Sequence, residues 1–390
     1  MTRQVPAFTA NTMTETQFFN AYQQLAYANE EHILLESGRG GNLSIAGINP
    51  LAKLQALEGD SLRISWRDGT EEIRQGDPLE ELTQLVADFE IDYIPELPEF
   101  QGGVLGFISY DYVRRYEQIP DDTVNHLKTP DLCFYLFDEW AVLDIEKETA
   151  YFITLPESNI NPIDVMNKWT NAATVESVEI NSPDTLEPSD DLTVSVTGPQ
   201  FEKMVEDVQE YIAKGDVIQV NLSVRQSKSL TAHPLALYKA LRSVNPSPYM
   251  ASMGASTFSV VSSSPELLLK KRGNKLTTRP IGGTRPRGAT VEEDIALEKD
   301  LLSDEKEKGE HIMLVELEIE DLEKVCEKNT VETNEFMVIE RYSHVMHLVS
   351  KCSRVRCTAN LKCGYRKRCL PWWHNYRSTK ASHNGNYRRA

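Results

Sequence analysis

FEKMVEDVQEYIAKGDVIQVNLSV, residues Phe201–Val224, changes its hydrophobic period half-way along. Phe201, Met204, Val205, Val208 and Ile212 recur at helical spacing. Thr197 is placed to cap that helix, Pro199 lies in its first turn and Gly215 is a fitting stop, which predicts a helix over residues 198–214. Beyond the glycine, Ile218, Val220, Leu222 and Val224 alternate with Gln219, Asn221 and Ser223. Alternation with period two predicts a half-buried strand, and its second face carries amides and a hydroxyl in place of charges. That face meets either solvent or a site, and both readings stay open on the pattern alone.

Upstream, residues 1–155 read as short strands and turns. His32–Ser37, Ser44–Ala46, Cys133–Phe137 and Ala141–Asp144 are apolar strand candidates. FQGGVLGFISY (Phe100–Tyr110) carries three glycines in an apolar run, which indicates tight turns or close backbone approach within a sheet. Residues 156–196 read as a linker region, and 175–196 are rich in Pro, Ser, Asp and Glu. Downstream, residues 295–324 hold a long charged helical pattern that sets Glu307, Glu310 and Leu314 roughly on one side. Carboxylates at i and i+3 can converge on one cation, although a solvated face is the ordinary meaning of such a pair.

The bulk numbers bound the class. The 390 residues suffice for two or three domains and a core that needs no disulfide or metal staple. Apolar residues make up 40% and charged residues 26%, the balance of a soluble globular protein, and no apolar run is long enough to span a bilayer. The N-terminus shows no apolar signal region, so the expected location is cytoplasmic, without membrane association. The net charge of -18 is unevenly placed. Residues 351–390 hold 11 of the 41 Lys and Arg and none of the 59 Asp and Glu, so the first 350 residues carry 30 − 59 = −29. A body that acidic disfavours non-specific nucleic-acid binding.

KGDVIQVNLS (Lys214–Ser223), NPSPYM (Asn245–Met250), SSPELL (Ser263–Leu268), TRPIGGTRPRG (Thr278–Gly288), EHIMLVELE (Glu310–Glu318) and RYSHVMHLVS (Arg341–Ser350) follow one another in that order. Together they resemble the chorismate-binding domain of anthranilate synthase component I, aminodeoxychorismate synthase component I and the isochorismate synthases. The segments LLES and FQGGVLGFISYD resemble the N-terminal domain of the first two. The resemblance runs from about residue 15 to 350. It implies an α+β, two-domain fold of large antiparallel sheets with outer helices. The implied organisation is an N-terminal domain at 15–155, the linker region at 156–196 and an incomplete chorismate-binding domain at 197–350.

The resemblance also implies chemistry. The substrate is chorismate, which carries two carboxylates and a poor leaving hydroxyl. A hard cation with oxygen ligands suits the ring carboxylate, so the cofactor is Mg²⁺. Glu310 matches the family's metal ligand and Glu307 a neighbour acting through water. His347 matches the active-site histidine, and Gly283 and Thr284 belong to a substrate-binding PIxGT motif. Gln219 occupies the place where isochorismate synthases carry a lysine base. A neutral amide cannot deprotonate water, so ammonia is the implied nucleophile, delivered by a separate glutamine amidotransferase subunit. Gly282, the variable PIxGT position, cannot form the covalent intermediate that a lysine there would. The implied product is 4-amino-4-deoxychorismate, with anthranilate as the alternative. Ser37, Pro248, Tyr249 and Met250 match a tryptophan-holding pocket, and a turn entering a strand is their plain reading.

Two segments depart from the family pattern. After Leu317 the family continues with an Arg-Asn-Asp-Leu-Gly type of run, where this chain has Ile319, Glu320, Asp321, Leu322 and Glu323. After Ser350 charge, cysteine and tryptophan usage all change, with Cys352, Cys357, Cys363 and Cys369 crowded together. Trp372-Trp373-His374 must be encoded TGG TGG CAY, which read one base later gives the Gly-Gly of a family-like GGTITGAPK loop. The expectation is a one-base frameshift near Lys351 or Cys352, a non-native tail over 351–390, and an impaired product or a non-catalytic remnant. Zinc binding by the tail is the competing reading, but its cysteine gaps are not paired. Nucleic-acid binding through its cations with Trp372, Trp373 and Tyr376 is set aside with it.

Overall fold

The computed structural model describes residues 5–38, 41–119, 124–175, 191–326 and 330–355. The tail beyond residue 355 lies outside the described residues, and so do residues 176–190 of the linker region. The chain begins with β1 (Ala7–Thr12), α1 (Glu15–Tyr27), β2 (His32–Glu36), β3 (Leu43–Ile48), β4 (Ala52–Ala56), β5 (Ser61–Trp66) and β6 (Glu71–Gln75). It continues with α2 (Pro78–Asp88), β7 (Val104–Ile108), β8 (Leu132–Leu136), β9 (Glu139–Asp144), β10 (Thr149–Thr154), α3 (Pro162–Thr174), β11 (Thr193–Val194), α4 (Gly198–Lys214) and β12 (Gln226–Ser227). Then come α5 (Pro234–Val244), β13 (Tyr249–Ala255), β14 (Phe258–Ser264), β15 (Leu267–Arg272), β16 (Lys275–Arg279) and β17 (Ile281–Pro286). Helices α6 (Val291–Ser303) and α7 (Glu305–Glu323) and strands β18 (Glu332–Arg341) and β19 (Val345–Val355) complete the order.

Two compact units result, and neither is contiguous. The first comprises Met1–Tyr112, Asn125–Leu186 and Ala232–Pro265; the second comprises Val113–Val124, Glu187–Thr231 and Glu266–Ala390. Residues 232–265 therefore cluster with the N-terminal part of the chain, although they follow the linker region in sequence.

In the first unit a seven-stranded antiparallel sheet runs β1-β10-β9-β3-β2-β13-β14, and a five-stranded one runs β6-β5-β4-β8-β7. Period-two patterning divides the large sheet between two cores. Leu34, Ala46, Ala141, Leu143 and Phe152 pack with Phe18, Phe19 and Tyr22 of α1, Trp169 of α3 and Tyr238 of α5. Their neighbours Ile33, Val142 and Ile153 pack with Leu105, Cys133, Tyr135 and Phe137. Residues 162–174, which composition placed in the linker region, thus fold as a core helix whose Trp169 ring stacks 5.0 Å from Phe18. At Gly106 any Cβ would collide with the Cys133 carbonyl oxygen, so the glycine in VLGFI permits the close backbone approach expected of it.

The second unit holds the sheet β15-β16-β19-β17, with β18 on the other side of β19. The helix expected over 198–214 forms as α4, with a Thr197–Gln200 capping box and Gly215 left-handed at φ +76°. The strand expected over 218–224 does not form. Ladder hydrogen bonds need a partner, and among the described residues no strand runs beside this segment, so Ile218 and Val224 stand exposed. The charged pattern over 295–324 is two helices rather than one. Asp304 breaks it by capping α7, accepting from the amides of Lys306 and Glu307 at 2.9 and 3.2 Å.

Strand β19 crosses the compositional break, pairing Cys352 with Thr278 and Ser353 with Thr277. Backbone pairing is indifferent to side-chain identity, so the ladder continues for four residues past Lys351.

In the first unit His32 is buried, with Nδ1 2.6 Å from the Tyr22 hydroxyl. Burial, assisted by the charge of His233, pushes the imidazole down to about 4. Between the ordinary value of about 6.5 and this one the unfolded chain takes up a proton and the folded chain does not, so stability falls as pH drops through that window. The expected contribution is about 3 kcal/mol between pH 7 and pH 4, at about 1.4 kcal/mol per pH unit. Urea unfolding across that range should flatten by this amount in His32→Gln; an unchanged slope would contradict the assignment.

Candidate active site

The sequence-derived residues of the second unit meet where α7 lies against β17. Strand β17 pairs with β19 in a register that opposes Thr284 to His347, and this register slips by one residue between Gly282 and Thr284. The slip is a bulge at Gly283, whose φ of +63° is left-handed and suits glycine. A Cβ there would stand 3.0 Å from Leu348 Cδ1 and 3.3 Å from Glu307 Oε2. Beyond the bulge, Thr284 Oγ1 lies 2.9 Å from His347 Nδ1, and the Gly283 carbonyl oxygen lies 3.3 Å from the same nitrogen. A carbonyl only accepts, so the Gly283 contact calls for a hydrogen on Nδ1, and in the neutral ring the lone pair then falls on Nε2. The Tyr342 ring meets the imidazole edge-on at 5.4 Å.

On α7, Glu307 and Glu310 are half-buried, one turn apart. Gln219 donates its amide N–H to Glu310 Oε1 at 2.8 Å. The polar face of the 218–224 segment therefore contributes to the site even though the segment is not a strand. His311, the next residue, is fully buried; its Nε2 lies 2.6 Å from Ser350 Oγ. Its Nδ1 has no hydrogen-bond partner among the described residues and would stand 2.9 Å from a Cβ on Gly282. Burial holds this imidazole below its ordinary value, hence neutral.

Two carboxyls escaped the sequence reading. Glu266, in SSPELL, is exposed at its surface, yet the protein packed around its carboxyl pushes it up, opposed by a hydrogen bond from the Ile281 amide beside Gly282. Glu318 is pushed up to about 8, first by burial, with the charges of Glu266 and Asp321 adding. A carboxyl kept protonated near neutral pH, as that of Glu318 is, can donate a proton. The signal of both acids in the sequence was an acid inside an apolar motif; the shift itself needs burial that spacing cannot reveal.

The pocket residues lie in the first unit. Met250 pairs with Glu36 in the β13–β2 register, directly before Ser37. A Cβ on Gly38 would stand 2.8 Å from both Met250 Sδ and the Ser247 carbonyl oxygen, so the Ser37 loop and the NPSPYM segment are brought together. Tyr249 is exposed and Pro248 half-buried. Beneath them the buried Glu36 accepts from the Tyr238 hydroxyl at 2.7 Å and Arg242 Nε at 2.8 Å.

With this geometry in place, the comparisons converge. A model of the chorismate binding enzyme family matches residues 30–359. The chain belongs to that family. Aminodeoxychorismate synthase component 1 of Bacillus subtilis (strain 168) is 42% identical over 358 residues, 90% of this chain and 75% of its own length. Anthranilate synthase component 1 of Thermus thermophilus is 37% identical over 333 residues, 85% of this chain and 71% of its own. The crystal structure of anthranilate synthase component I from Streptococcus pneumoniae TIGR4 superposes with a TM-score of 0.69 at 29% identity, covering 86% of this chain and 77% of that one. The antiparallel sheets with helices packed outside them are this family's α+β fold, as the motifs implied. No helix among the described residues is long and apolar enough to cross a membrane.

The bulge gives a direct test. Gly283→Ala forces an L residue into φ +63° against Leu348 and Glu307, and should cost the second unit about 1–3 kcal/mol in denaturant unfolding. A neutral result would mean that the bulge relaxes freely.

Proposed function

We propose that this chain is the chorismate-aminating subunit of an aminodeoxychorismate synthase, taking ammonia from a glutamine amidotransferase partner in the cytoplasm. The observation that carries the reading is the Gln219–Glu310 hydrogen bond. The position that would hold a base to activate water is a neutral amide, committed as a donor to a carboxylate. Water finds no base at that position, whereas ammonia is nucleophilic as it arrives. The 42% identity to the Bacillus subtilis protein supports the same product class.

In the proposed reaction the nitrogen lone pair of ammonia forms the new C–N bond. The C–O bond to the ring hydroxyl breaks, and that oxygen leaves as water after gaining a proton. Glu266, whose carboxyl is pushed up from its ordinary range, is the proposed donor. His347, with Nδ1–H tied to Gly283 and Nε2 available, is suited to take the proton that ammonia sheds. Thr284 orients the imidazole, and the substrate contacts of the PIxGT motif fall on Gly283 and Thr284.

Glu307 and Glu310 supply the hard oxygen donors that Mg²⁺ takes, and Gln219 orients one of them. No group of three or more His, Cys, Asp and Glu side chains forms a ligand set among the described residues, so the remaining positions fall to water and substrate oxygens. When bound, the ion would neutralise the ring carboxylate. Glu310→Gln should lower turnover with ammonium and Mg²⁺ by about a hundredfold or more while leaving urea unfolding within about 1 kcal/mol. Full activity in this variant would remove Glu310 from the metal site.

Anthranilate synthesis is the second reading, and Gly282 favours it. His311 and Leu314 occupy the space beside this glycine, which leaves no side chain for covalent chemistry at that position. The products separate the two. Anthranilate is fluorescent as it forms, whereas aminodeoxychorismate yields 4-aminobenzoate only after a lyase is added. Lyase-dependent signal is the expected outcome; immediate anthranilate fluorescence would transfer the chain to the second reading.

The residues after Ser350 belong to this proposal as well. Arg354 is only 2% exposed within β19, an unusual fate for arginine in a sheet. That supports a shifted reading frame from about Lys351. The gene with the extra base removed should give at least tenfold more turnover than the 390-residue chain. Equal turnover would make residues 351–355 native sequence. The NPSPYM pocket is proposed to take tryptophan.

A further inference from the structure

Arg285 follows Thr284 on β17 and is surrounded by carboxylates from two helices. Its Nε donates to Asp300 Oδ2 of α6 at 2.6 Å, and its Nη2 donates to Asp304 Oδ2 at 2.7 Å. Its Nη1 donates to the Thr284 carbonyl oxygen at 3.0 Å and lies 3.8 Å from Glu307 Oε1. The Arg285 side chain is 19% exposed.

Asp304 divides its two oxygens. Oδ2 takes the Arg285 bond, and Oδ1 takes the amides of Lys306 and Glu307. These bonds, with the Glu307 amide first and Arg285 second, hold the Asp304 carboxyl below its ordinary range. One arginine thus reaches Glu307 by two routes: through the cap to its backbone, and directly to its side chain. The other Glu307 oxygen faces the Gly283 bulge, whose carbonyl contacts His347.

We propose that Arg285 is a positioning residue, which sets Glu307 over the Gly283–Thr284 bulge by clamping the N-terminus of α7 to β17. Glu307 then sits at a fixed height above Gly283, and the Thr284–His347 pair lies on the same strand pair. A lysine would keep the charge and lose the fork, because one ammonium cannot span Asp300, Asp304 and the Thr284 carbonyl with the same geometry. That Glu307 serves chorismate chemistry rests on the proposed function; the clamp itself does not.

The test is amide hydrogen exchange on the full chain, which reads the clamp whether or not the chain turns over. Arg285→Gln should speed exchange at Lys306 and Glu307 about tenfold or more, the effect of a weakened cap, while Gln17, capped by Thr14 in the first unit, stays unchanged. Arg285→Lys should fall between parent and Arg285→Gln, and it serves as the readable variant if the glutamine protein fails to fold. Unchanged exchange at 306 and 307, or equal acceleration across β16, β17 and β19, would overturn the proposal, the latter by making Arg285 a general stabiliser. In the enzyme read in the restored frame, the variants should lower kcat with KM for chorismate within about twofold. A change confined to KM would place Arg285 in substrate binding instead.

Discussion

The arrangement depends on one slip in one ladder. Strands β17 and β19 pair antiparallel, and the single-residue bulge at Gly283 turns Thr284 to face His347 while clearing room for Glu307. With a regular ladder the side chains after Gly282 would project to the opposite face, because strand side chains alternate with period two. Glycine at a left-handed φ makes the slip inexpensive. Leu301, Met346 and Leu348 pack into a small core that backs the pair. The chemistry of the site is thereby tied to a backbone feature and to the packing behind it.

Around that slip the site is built from acids of unequal character. Glu307 and Glu310 are half-buried on one side of α7, the first 3.8 Å from the Arg285 guanidinium and the second accepting from Gln219. Glu318 is more deeply buried, at 6% exposed, and its carboxyl is pushed up, first by burial. Differing burial thus gives one residue type different proton affinities. The chain's strong negative charge does not prevent an anionic substrate from docking, because the local field is set by these partners, by Arg285 and by any bound cation.

Much of this was legible in the sequence where signals were local. Helix α4 was readable because Thr197, Pro199 and Gly215 mark both ends, and β2, β8 and β9 because they are short apolar runs between turn residues. The site residues were legible only as motif matches; spacing alone left Glu307, Glu310 and His347 ambiguous. What escaped depended on neighbours. The 218–224 segment has strand periodicity but no ladder partner among the described residues. Asp304 was hidden as a helix break because it is one acid among many. Glu318 owes its shift to burial, and Glu266 and Arg285 owe their importance to residues far away in the chain. The non-contiguous first unit was invisible for the same reason, since α5, β13 and β14 join it through tertiary pairing with β2.

The account's central claim is that a neutral amide beside Glu310 makes this an aminating site. The direct measurement supplies the chain, read in the restored frame, with chorismate, Mg²⁺ and ¹⁵N-ammonium in ¹⁸O-enriched water, and weighs the product by mass spectrometry. The account predicts a product carrying ¹⁵N and no ¹⁸O. A product that gains ¹⁸O and lacks ¹⁵N would show that water is the nucleophile and would contradict it.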